Sequence, residues 1–299
     1  MVSAPQRRET IFHNAKAGIH GTEITTAAIQ QAVTIAEMNA AVVAVESDVF
    51  TDAVQRCLQE GADRILIAGG DGTVARAARV LAHTEIPLGI LPVGGANNFA
   101  AALGLPTRDL GAALDVLKKG TVRAVSLGQT DSGYLFTETA GVGLFADGLH
   151  LYGGARQNWW KGVIVYLRLL AGFRATTLRI TLDGRQITRH AVLCTVANGF
   201  RMADFIPVAP DASLEDNVFD VVLIGALHLW ELPRYFAAVR RGHHPGLSKV
   251  SVYRAREVVI EAANGVSRHV HADDHIVGAT PVTFTLLPAA LRVVVPAVC

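Results

Sequence analysis

The first third of the chain alternates between short apolar runs and longer segments in which apolar residues recur every three or four positions. A short apolar run bounded by turn residues predicts a buried strand, and the three- to four-residue spacing predicts a helix. Strands and helices in alternation are typical of a parallel sheet with helices on its faces. The predicted strands are residues 11–12, 41–45, 65–68 and 88–91, and the predicted helices are residues 24–38, 51–59, 74–81 and 98–103.

The pattern changes after Gly120, where short runs rich in β-branched and aromatic residues are separated by turn signals such as Asp183-Gly184. Such runs favour strands, and such dipeptides favour the turns between them. Two segments, residues 159–173 and 230–241, keep a helical spacing. The sequence therefore predicts an α/β domain over residues 1–122 and a mostly β domain that begins at residue 123.

Composition excludes several classes of protein. With 51% hydrophobic and 18% charged residues among 299, the chain can bury one large core or two medium ones. A formal net charge of +1 gives no general field that would attract nucleic acid, so we expect no nucleic-acid partner. Cys57, Cys194 and Cys299 are scattered and predict neither disulfides nor a cysteine metal site, which fits a reducing cytoplasm. No run approaches the roughly 18 to 20 apolar residues that span a bilayer, so any membrane contact is expected to be peripheral.

A glycine-rich turn lies between a predicted strand and a predicted helix, and it consists of Gly69, Gly70, Asp71, Gly72 and Thr73. Glycines let backbone amides approach an anion, and the helix directs its positive end towards the same place. A carboxylate beside phosphates is repulsive unless it holds a metal ion or orients an attacking hydroxyl, and phosphoryl transfer needs both roles. The alternative is a tight turn with a capping aspartate. The turn predicts a nucleotide site.

A second glycine turn follows about twenty residues later, with Gly94 and Gly95 at the end of a strand and Asn97 or Asn98 placed to cap a helix. Two such turns on neighbouring strands of a parallel sheet face one crevice. Taken alone, the segment is equally compatible with a plain loop from strand to helix.

Four segments resemble, in order and spacing, the diacylglycerol kinase catalytic-domain family, which includes bacterial lipid kinases and sphingosine kinases. They are residues 14–18, 69–73, 87–106 and 209–222, and the tail 280–296 is similar to the family's closing segment. The resemblance covers nearly the whole chain. It implies an N-terminal three-layer α/β nucleotide-binding domain and a C-terminal mostly-β sandwich domain over 123–287 that completes the cleft. It also implies that a last strand, about 288–299, returns to the first domain.

The resemblance further implies which residues bind ATP and magnesium. Asp216, with backbone groups near Ser213 and Val218, matches a structural Mg2+ site, for which the alternative is a hairpin-turn aspartate. The implied ATP contacts are Asn14, Gly18, Gly69, Gly70, Asp71, Gly72, Thr73, Gly94 and Gly95.

Several positions depart from the family's pattern. The Asn-Glu pair after the first glycine turn is Ala75-Arg76, a threonine of the second turn is Gly95, and the aspartate before its phenylalanine is Asn98. Arg76 is open to two interpretations, a phosphate ligand and an exposed helix arginine.

The most consequential departure is near the C-terminus, where the family's Asp-Gly-Glu, whose glutamate is the general base, is Asp273-Asp274-His275. Histidine, with an ordinary pKa of about 6.5, can accept a hydroxyl proton near neutral pH, so the predicted base is His275, supported by Asp273. Two alternatives stay open. One is a solvated strand face without catalysis, and the other is a transition-metal face of His269, His271, Asp273 and His275 on one strand.

Two segments combine basic and aromatic residues in a way that suits a lipid interface. Each is also compatible with a core-packing helix that has a basic outer face. The first contains Arg156, Trp159, Trp160, Lys161, Arg168 and Arg174, and the second contains residues 230–241 with His243 and His244.

The expected function is that of an ATP-dependent lipid kinase, which transfers the γ-phosphate of ATP to a hydroxyl of a lipid such as diacylglycerol. We expect it in the cytoplasm, peripheral at the inner membrane face, with a lipid substrate at the membrane surface. A homodimer is left open. The alternatives are a catalytically impaired member that binds nucleotide or lipid, and a kinase of a soluble substrate, because NAD kinases share the first glycine turn.

Overall fold

The computed structural model describes residues 9–14, 24–152, 175–202, 206–263 and 265–297. The chain divides into two compact units. The first, here called the α/β unit, comprises Met1–Val125 and Ala289–Cys299. The second, here called the β unit, comprises Ser126–Pro288.

The α/β unit contains a parallel sheet whose strands lie in the order β4-β3-β1-β2. Parallel neighbours need a crossover connection, and helices supply it here. The strands are β1 (Glu9–His13), β2 (Ala40–Ala44), β3 (Ile65–Gly69) and β4 (Leu88–Pro92); the helices are α1 (Thr26–Ile35), α2 (Phe50–Gln59), α3 (Asp71–Leu81), α4 (Asn98–Ala102) and α5 (Leu110–Lys119).

Burial explains why these segments form these elements. Every residue of β3 and β4 is buried, which is the pattern of central strands covered on both faces. Helix α1 starts where the Thr25 side chain accepts a hydrogen bond from the Ala28 amide, and it packs Ile29 and Val33 into the core.

Helix α3 begins at Asp71, three residues before the predicted start at residue 74. Asp71, Gly72 and Thr73 thus form its first turn and not a loop before it. Glycine and aspartate have low helix propensity, so the pattern of residues hides this turn. The consequence is that the glycine-rich segment contributes the positive end of the helix itself.

The β unit consists of antiparallel strands that pair along the order β14-β13-β7-β9-β8-β12-β15, with β10 between β9 and β11. Strand β5 continues from the α/β unit into this unit, and the last strand, β15, runs back out of it. The strands are β5 (Thr121–Thr130), β6 (Leu135–Phe136), β7 (Thr139–Gly143), β8 (Thr176–Leu182), β9 (Arg185–Ala197), β10 (Phe219–Gly225), β11 (Val250–Ala255), β12 (Glu257–Ala262), β13 (His269–Ala272), β14 (His275–Ala279) and β15 (Val282–Val295).

The helices of the β unit differ in part from the predicted ones. The segment 230–241 forms a short 3-10 turn, Leu229–Glu231, followed by helix α7, Leu232–Arg240. Helix α6, Leu144–Tyr152, was not predicted. The predicted helix at 159–173 lies outside the described residues. Among the helices that the structure describes, none combines the length and the apolar character needed to cross a membrane.

Candidate functional site

Both glycine turns lie at the same edge of the parallel sheet. Strands β3 and β4 are neighbours with Gly69 opposite Pro92, and the Val93 amide donates to the Gly69 carbonyl over 3.2 Å. The two turns therefore follow directly from the carboxyl ends of adjacent strands. In open α/β sheets, this edge is where ligands bind.

The backbones of the two turns are in direct contact. A β-carbon built on Gly94 would lie 2.3 Å from the Cα of Gly70, and one built on Gly70 would lie 3.1 Å from the Cα of Gly94. Carbon atoms pack at about 3.5 to 4.0 Å, so no side chain fits at residue 94 without separating the turns. The glycines are needed here for the close approach of two backbones.

Asn97 fixes the second turn. Its backbone adopts the left-handed conformation, with φ 52° and ψ 43°, which asparagine tolerates better than most residues. Its Oδ1 accepts from the Gly94 amide at 3.0 Å, and its Nδ2 donates to the Gly94 carbonyl at 2.7 Å. The side chain of Asn97 thus braces the turn and makes no cap bond to α4.

Asp71 connects the two turns. It is the first residue of α3, and its Oδ1 accepts from the amide of Phe99 in the first turn of α4 at 3.1 Å. The carboxylate therefore lies beside the positive ends of two helices and caps α4 from a neighbouring helix. The N-cap of α3 itself is Gly70, so the bond from the Phe99 amide to Asp71 joins the starts of two helices.

Asn14, the residue after β1, is brought to the first glycine turn. Its Nδ2 donates to Thr73 Oγ1 at 3.0 Å, and its Oδ1 accepts from Ser47 Oγ at 3.2 Å. Asn14 and Thr73 are both buried, so these bonds satisfy polar groups that water does not reach. Gly18, the other predicted ATP contact in this segment, lies outside the described residues.

Arg76, on the second turn of α3, binds backbone carbonyls. Its Nε donates to the Gly72 carbonyl at 3.2 Å, and its Nη1 donates to the Ser47 carbonyl at 2.6 Å. The guanidinium also lies over the Phe50 ring, 5.7 Å from its centroid. These contacts tie α3 to the segment after β2 and favour a structural role for Arg76 over that of a phosphate ligand.

In the β unit, strands β13 and β14 form a hairpin whose turn is Asp273-Asp274. The prediction that His269, His271, Asp273 and His275 share one strand face is therefore wrong. His275 is the first residue of the returning strand, opposite Ala272, and opposing residues point to the same face, away from that of His271. Within the described ranges, no group of three or more His, Cys, Asp or Glu side chains is placed to hold a metal ion.

Asp273 holds this hairpin against the junction between β6 and β7. Its carboxylate accepts from the Thr137 amide at 3.1 and 3.2 Å, from the Thr137 hydroxyl at 3.3 Å and from the Glu138 amide at 2.9 Å. The carboxylate paired with His275 is that of Asp274, whose Oδ1 lies 2.7 Å from Nδ1 of the ring. The predicted support of His275 by Asp273 is corrected accordingly.

The other two histidines of the hairpin have separate environments. His271 is fully buried, meets the edge of the Phe145 ring at 4.7 Å between centroids, and has a pKa that burial lowers to about 4. His269 stacks on His150 with ring centroids 3.8 Å apart. The side chain of His275, in contrast, is 57% exposed.

The residues implied for a structural magnesium ion do not fit one. The Oδ1 of Asp216 accepts from the Val218 amide at 3.4 Å, as in a turn aspartate, and its Oδ2 pairs with the guanidinium of Arg254 at 2.9 Å. The hydroxyl of Ser213 accepts from the Glu215 amide at 3.2 Å. Magnesium needs oxygen ligands at about 2.0 to 2.1 Å in octahedral geometry, and a guanidinium on the same carboxylate repels it.

Comparison with known proteins assigns the chain to a family. The diacylglycerol kinase catalytic domain matches residues 8–130, and the YegS C-terminal NAD kinase beta sandwich-like domain matches residues 155–295. A diacylglycerol kinase of Mycobacterium tuberculosis is 32% identical over 246 residues, which are 79% of this chain and 78% of the relative. The chain belongs to the diacylglycerol kinase family.

Further diacylglycerol kinases agree with this. One from Bacillus subtilis is 29% identical over 239 residues, 78% of each chain. The crystal structure of a putative diacylglycerol kinase from Bacillus anthracis has the same fold, with a TM-score of 0.75 and 21% identity over 99% of this chain and 98% of the other. Membership of the diacylglycerol kinase family confirms the predicted fold class and the prediction of a kinase enzyme that uses ATP.

Three residues of this chain that bind residues singled out above were themselves not identified from the sequence, and they are Ser47, Thr137 and Arg254. The carbonyl of Ser47 accepts from Arg76, and the amide of Thr137 donates to Asp273 across 136 positions of sequence. Arg254, which pairs with Asp216, lies 38 positions away from it. None of these pairs has a local motif, because each depends on which strands become neighbours.

Proposed function

We infer that this protein is an ATP-dependent lipid kinase that transfers the γ-phosphate of ATP to a hydroxyl of a lipid such as diacylglycerol. Family membership supports the reaction class. One geometric observation carries the assignment of the site: two glycine turns touch at the carboxyl edge of the sheet, each beside the start of a helix. Backbone amides and helix dipoles that converge in this way favour a polyphosphate.

The proposed ATP site is built around the first turn of α3. Helix N-termini present amides that lack intrahelical acceptors, so the turn has donors for phosphate oxygens. Asp71 keeps the two turns together, and Asn14 and Gly94 fix their shape. We propose that ATP enters as its magnesium complex, in which the metal neutralises charge that develops on the phosphates. The proposed contacts are Asn14, Gly18, Gly69, Gly70, Asp71, Gly72, Thr73, Gly94 and Gly95.

His275 is the proposed general base. Its ring is exposed, so that a substrate hydroxyl can approach it. The adjacent Asp274 carboxylate stabilises the imidazolium that forms when the proton is accepted. Asp273 supports this role indirectly, because its carboxylate fixes the turn that carries Asp274 and His275.

A membrane surface is the proposed location of the reaction. The 3-10 turn before α7 exposes Trp230, which is 75% accessible, and α7 exposes Phe236, which is 49% accessible. Arg234, Arg240 and Arg241 are exposed in the same segment. Exposed aromatic rings among arginines suit the headgroup region of an anionic bilayer, where the rings enter and the charges stay at the phosphates. The other basic aromatic segment, between Arg156 and Arg174, lies outside the described residues.

The test is phosphate transfer from labelled ATP to a lipid panel in mixed vesicles, with products separated by thin-layer chromatography. The panel contains diacylglycerol, monoacylglycerol, a sphingoid base and glycerol as the soluble alcohol. We expect labelled product from diacylglycerol and none from glycerol. Asp71→Ala is expected to lose ATP binding together with turnover, since it separates the turns.

The role of His275 is tested separately. His275→Gln is expected to lower kcat at least 100-fold with an unchanged KM for ATP, while His275→Glu retains a substantial part of kcat. Intact ATP binding with no transfer to any lipid in the panel would contradict the kinase proposal and favour the impaired, nucleotide-binding member. Full activity of His275→Gln would remove His275 as the base and leave the kinase assignment intact.

A further inference from the structure

Arg254 on β11 pairs with two carboxylates at once. It lies opposite Asp220 of β10 in the antiparallel pair, and its Nε lies 3.2 Å from Asp220 Oδ1. Its Nη2 lies 2.9 Å from Oδ2 of Asp216, in the turn that precedes β10. The hydrogen bond and the charge of Asp220 raise the pKa of Arg254, and the charges of Asp216 and Asp211 add to this effect. One cation thus pairs with a cluster of two carboxylates.

Asp220 is the member of this cluster that needs the cation most. It is 3% exposed, and burial raises the pKa of its carboxyl. Its Oδ2 is buried without a hydrogen-bond partner in the part of the chain that the structure describes. A buried carboxylate is costly unless a positive charge compensates it, and Arg254 is positioned to do this from the neighbouring strand.

The turn beside Arg254 is held in shape by contacts of the protein itself. Asn217 adopts the left-handed conformation with φ 58°, and its Oδ1 accepts from the hydroxyl of Ser126 at 3.2 Å. The Val218 amide binds Asp216 Oδ1, and the Ser126 amide binds the carbonyl of Leu214 at 2.8 Å. The conformation of residues 213–218 therefore has internal determinants, and the carboxylate of Asp216 has a cation in place.

We propose that Arg254 is a built-in cation that takes the place of the divalent ion expected at Asp216, so that the β unit folds and keeps its stability without bound Mg2+. The guanidinium carries one positive charge and donates two directed N–H groups. A divalent metal ion in its place would carry two positive charges and have open coordination positions. Any need for magnesium then arises with the nucleotide alone. The proposal does not depend on the kinase reaction, because it concerns the stability of the fold.

The first measurement is the melting temperature of the full chain without nucleotide, in EDTA, in Mg2+ and in Ca2+. For the natural sequence we expect the same melting temperature in all three. Arg254→Met is expected to melt lower in EDTA and to recover part of the loss in Mg2+ or Ca2+, because Asp216 and Asp220 are then left without their cation. The control is Arg179→Met, which removes an arginine from an exposed pair with Glu261, and we expect neither a large loss nor any dependence on the ion.

Two further experiments keep the proposal testable if Arg254→Met does not fold. Arg254→Met with Asp220→Asn removes the buried charge together with its partner, and it is expected to melt above the single variant and close to the natural sequence. Calorimetric titration of the natural sequence with Mg2+ in the absence of nucleotide is expected to show no saturable binding. A lower melting temperature of the natural sequence in EDTA, or a saturable magnesium site that Asp216→Asn abolishes, would overturn the proposal.

Discussion

Replacement of Gly94 by alanine is the most direct perturbation of the proposed nucleotide site. The new methyl group would lie 2.3 Å from Gly70 Cα, 3.0 Å from the Gly70 amide nitrogen and 2.9 Å from Asn97 Oδ1. Two of these neighbours are backbone atoms, which cannot rotate away. The turns must separate by about 1 Å or more to restore a carbon contact of roughly 3.5 Å.

That displacement has a calculable effect on catalysis. A misplacement of about 1 Å in groups that position a substrate costs on the order of 100-fold in rate. The separation also lengthens the bond from Asp71 to the Phe99 amide, which is 3.1 Å in the natural protein. A lost bond of this kind to a charged acceptor costs about 1.5 to 3 kcal/mol. We therefore expect Gly94→Ala to lower kcat/KM for ATP about 100-fold and to reduce the melting temperature.

The assay is steady-state phosphate transfer at varied ATP, with ATP binding measured in parallel by calorimetry. The matched control is Gly111→Ala in α5 of the same unit, where the nearest atom to the new methyl group is Asp109 Oδ1 at 3.4 Å. We expect this control to keep the natural kinetics. Natural affinity for ATP in Gly94→Ala would show that the contact between the two turns is irrelevant to nucleotide binding, and the site would have to be assigned elsewhere.

Three other predictions concern the β unit. Asp273→Ala leaves buried donors without an acceptor and should reduce the free energy of unfolding by about 2 to 3 kcal/mol, whereas the exposed Asp274→Ala should change it by less than about 0.5 kcal/mol; equal losses in denaturant titrations would contradict this. His271 has a pKa of about 4 in the folded state and about 6.5 when unfolded, so between these pH values the unfolded chain binds a proton at His271 and the folded chain does not. Stability should fall by about 3 kcal/mol as pH drops from about 6.5 to about 4, and His271→Leu should flatten that part of the profile. Trp230→Ser should weaken sedimentation with anionic vesicles about tenfold, and unchanged binding would exclude α7 and its 3-10 turn as the membrane contact.

Sequence patterns predicted the elements whose signal is local. The strands β3 and β4 appear as apolar runs within one residue of their observed ends, because a strand buried on both faces has no polar positions. The glycine turns were also recognisable from local sequence, because the close approach of Gly70 and Gly94 leaves no room for side chains there. Helix α5 was missed although Asp109 caps it and Leu114 and Leu117 pack into the core.

Features that depend on pairing between distant strands could not be obtained in this way. The sequence suggested that His271 and His275 alternate on one strand, but an Asp273-Asp274 turn fits the same spacing, and only the pairing of Ala272 with His275 decides between them. Asp273 has a left-handed backbone conformation, φ 50°, which aspartate tolerates, so no glycine marks this turn in the sequence. No local sequence motif indicated a role for Arg254, because its acidic partners lie 34 and 38 positions earlier in the chain.

Strand β15 sets an order of events when the chain is synthesised. Its first half pairs with β12, while Val293 pairs with Leu88 of β4 and Val294 belongs to the core of the α/β unit. Residues 126–288 leave the ribosome between the two parts of that unit. The α/β unit is therefore in a waiting state, without its last strand and with the edge of β4 unpaired, until β15 has been synthesised. A fragment that stops at residue 125 reproduces that waiting state, so cutting the chain at its apparent boundary yields an unfinished sheet prone to aggregation.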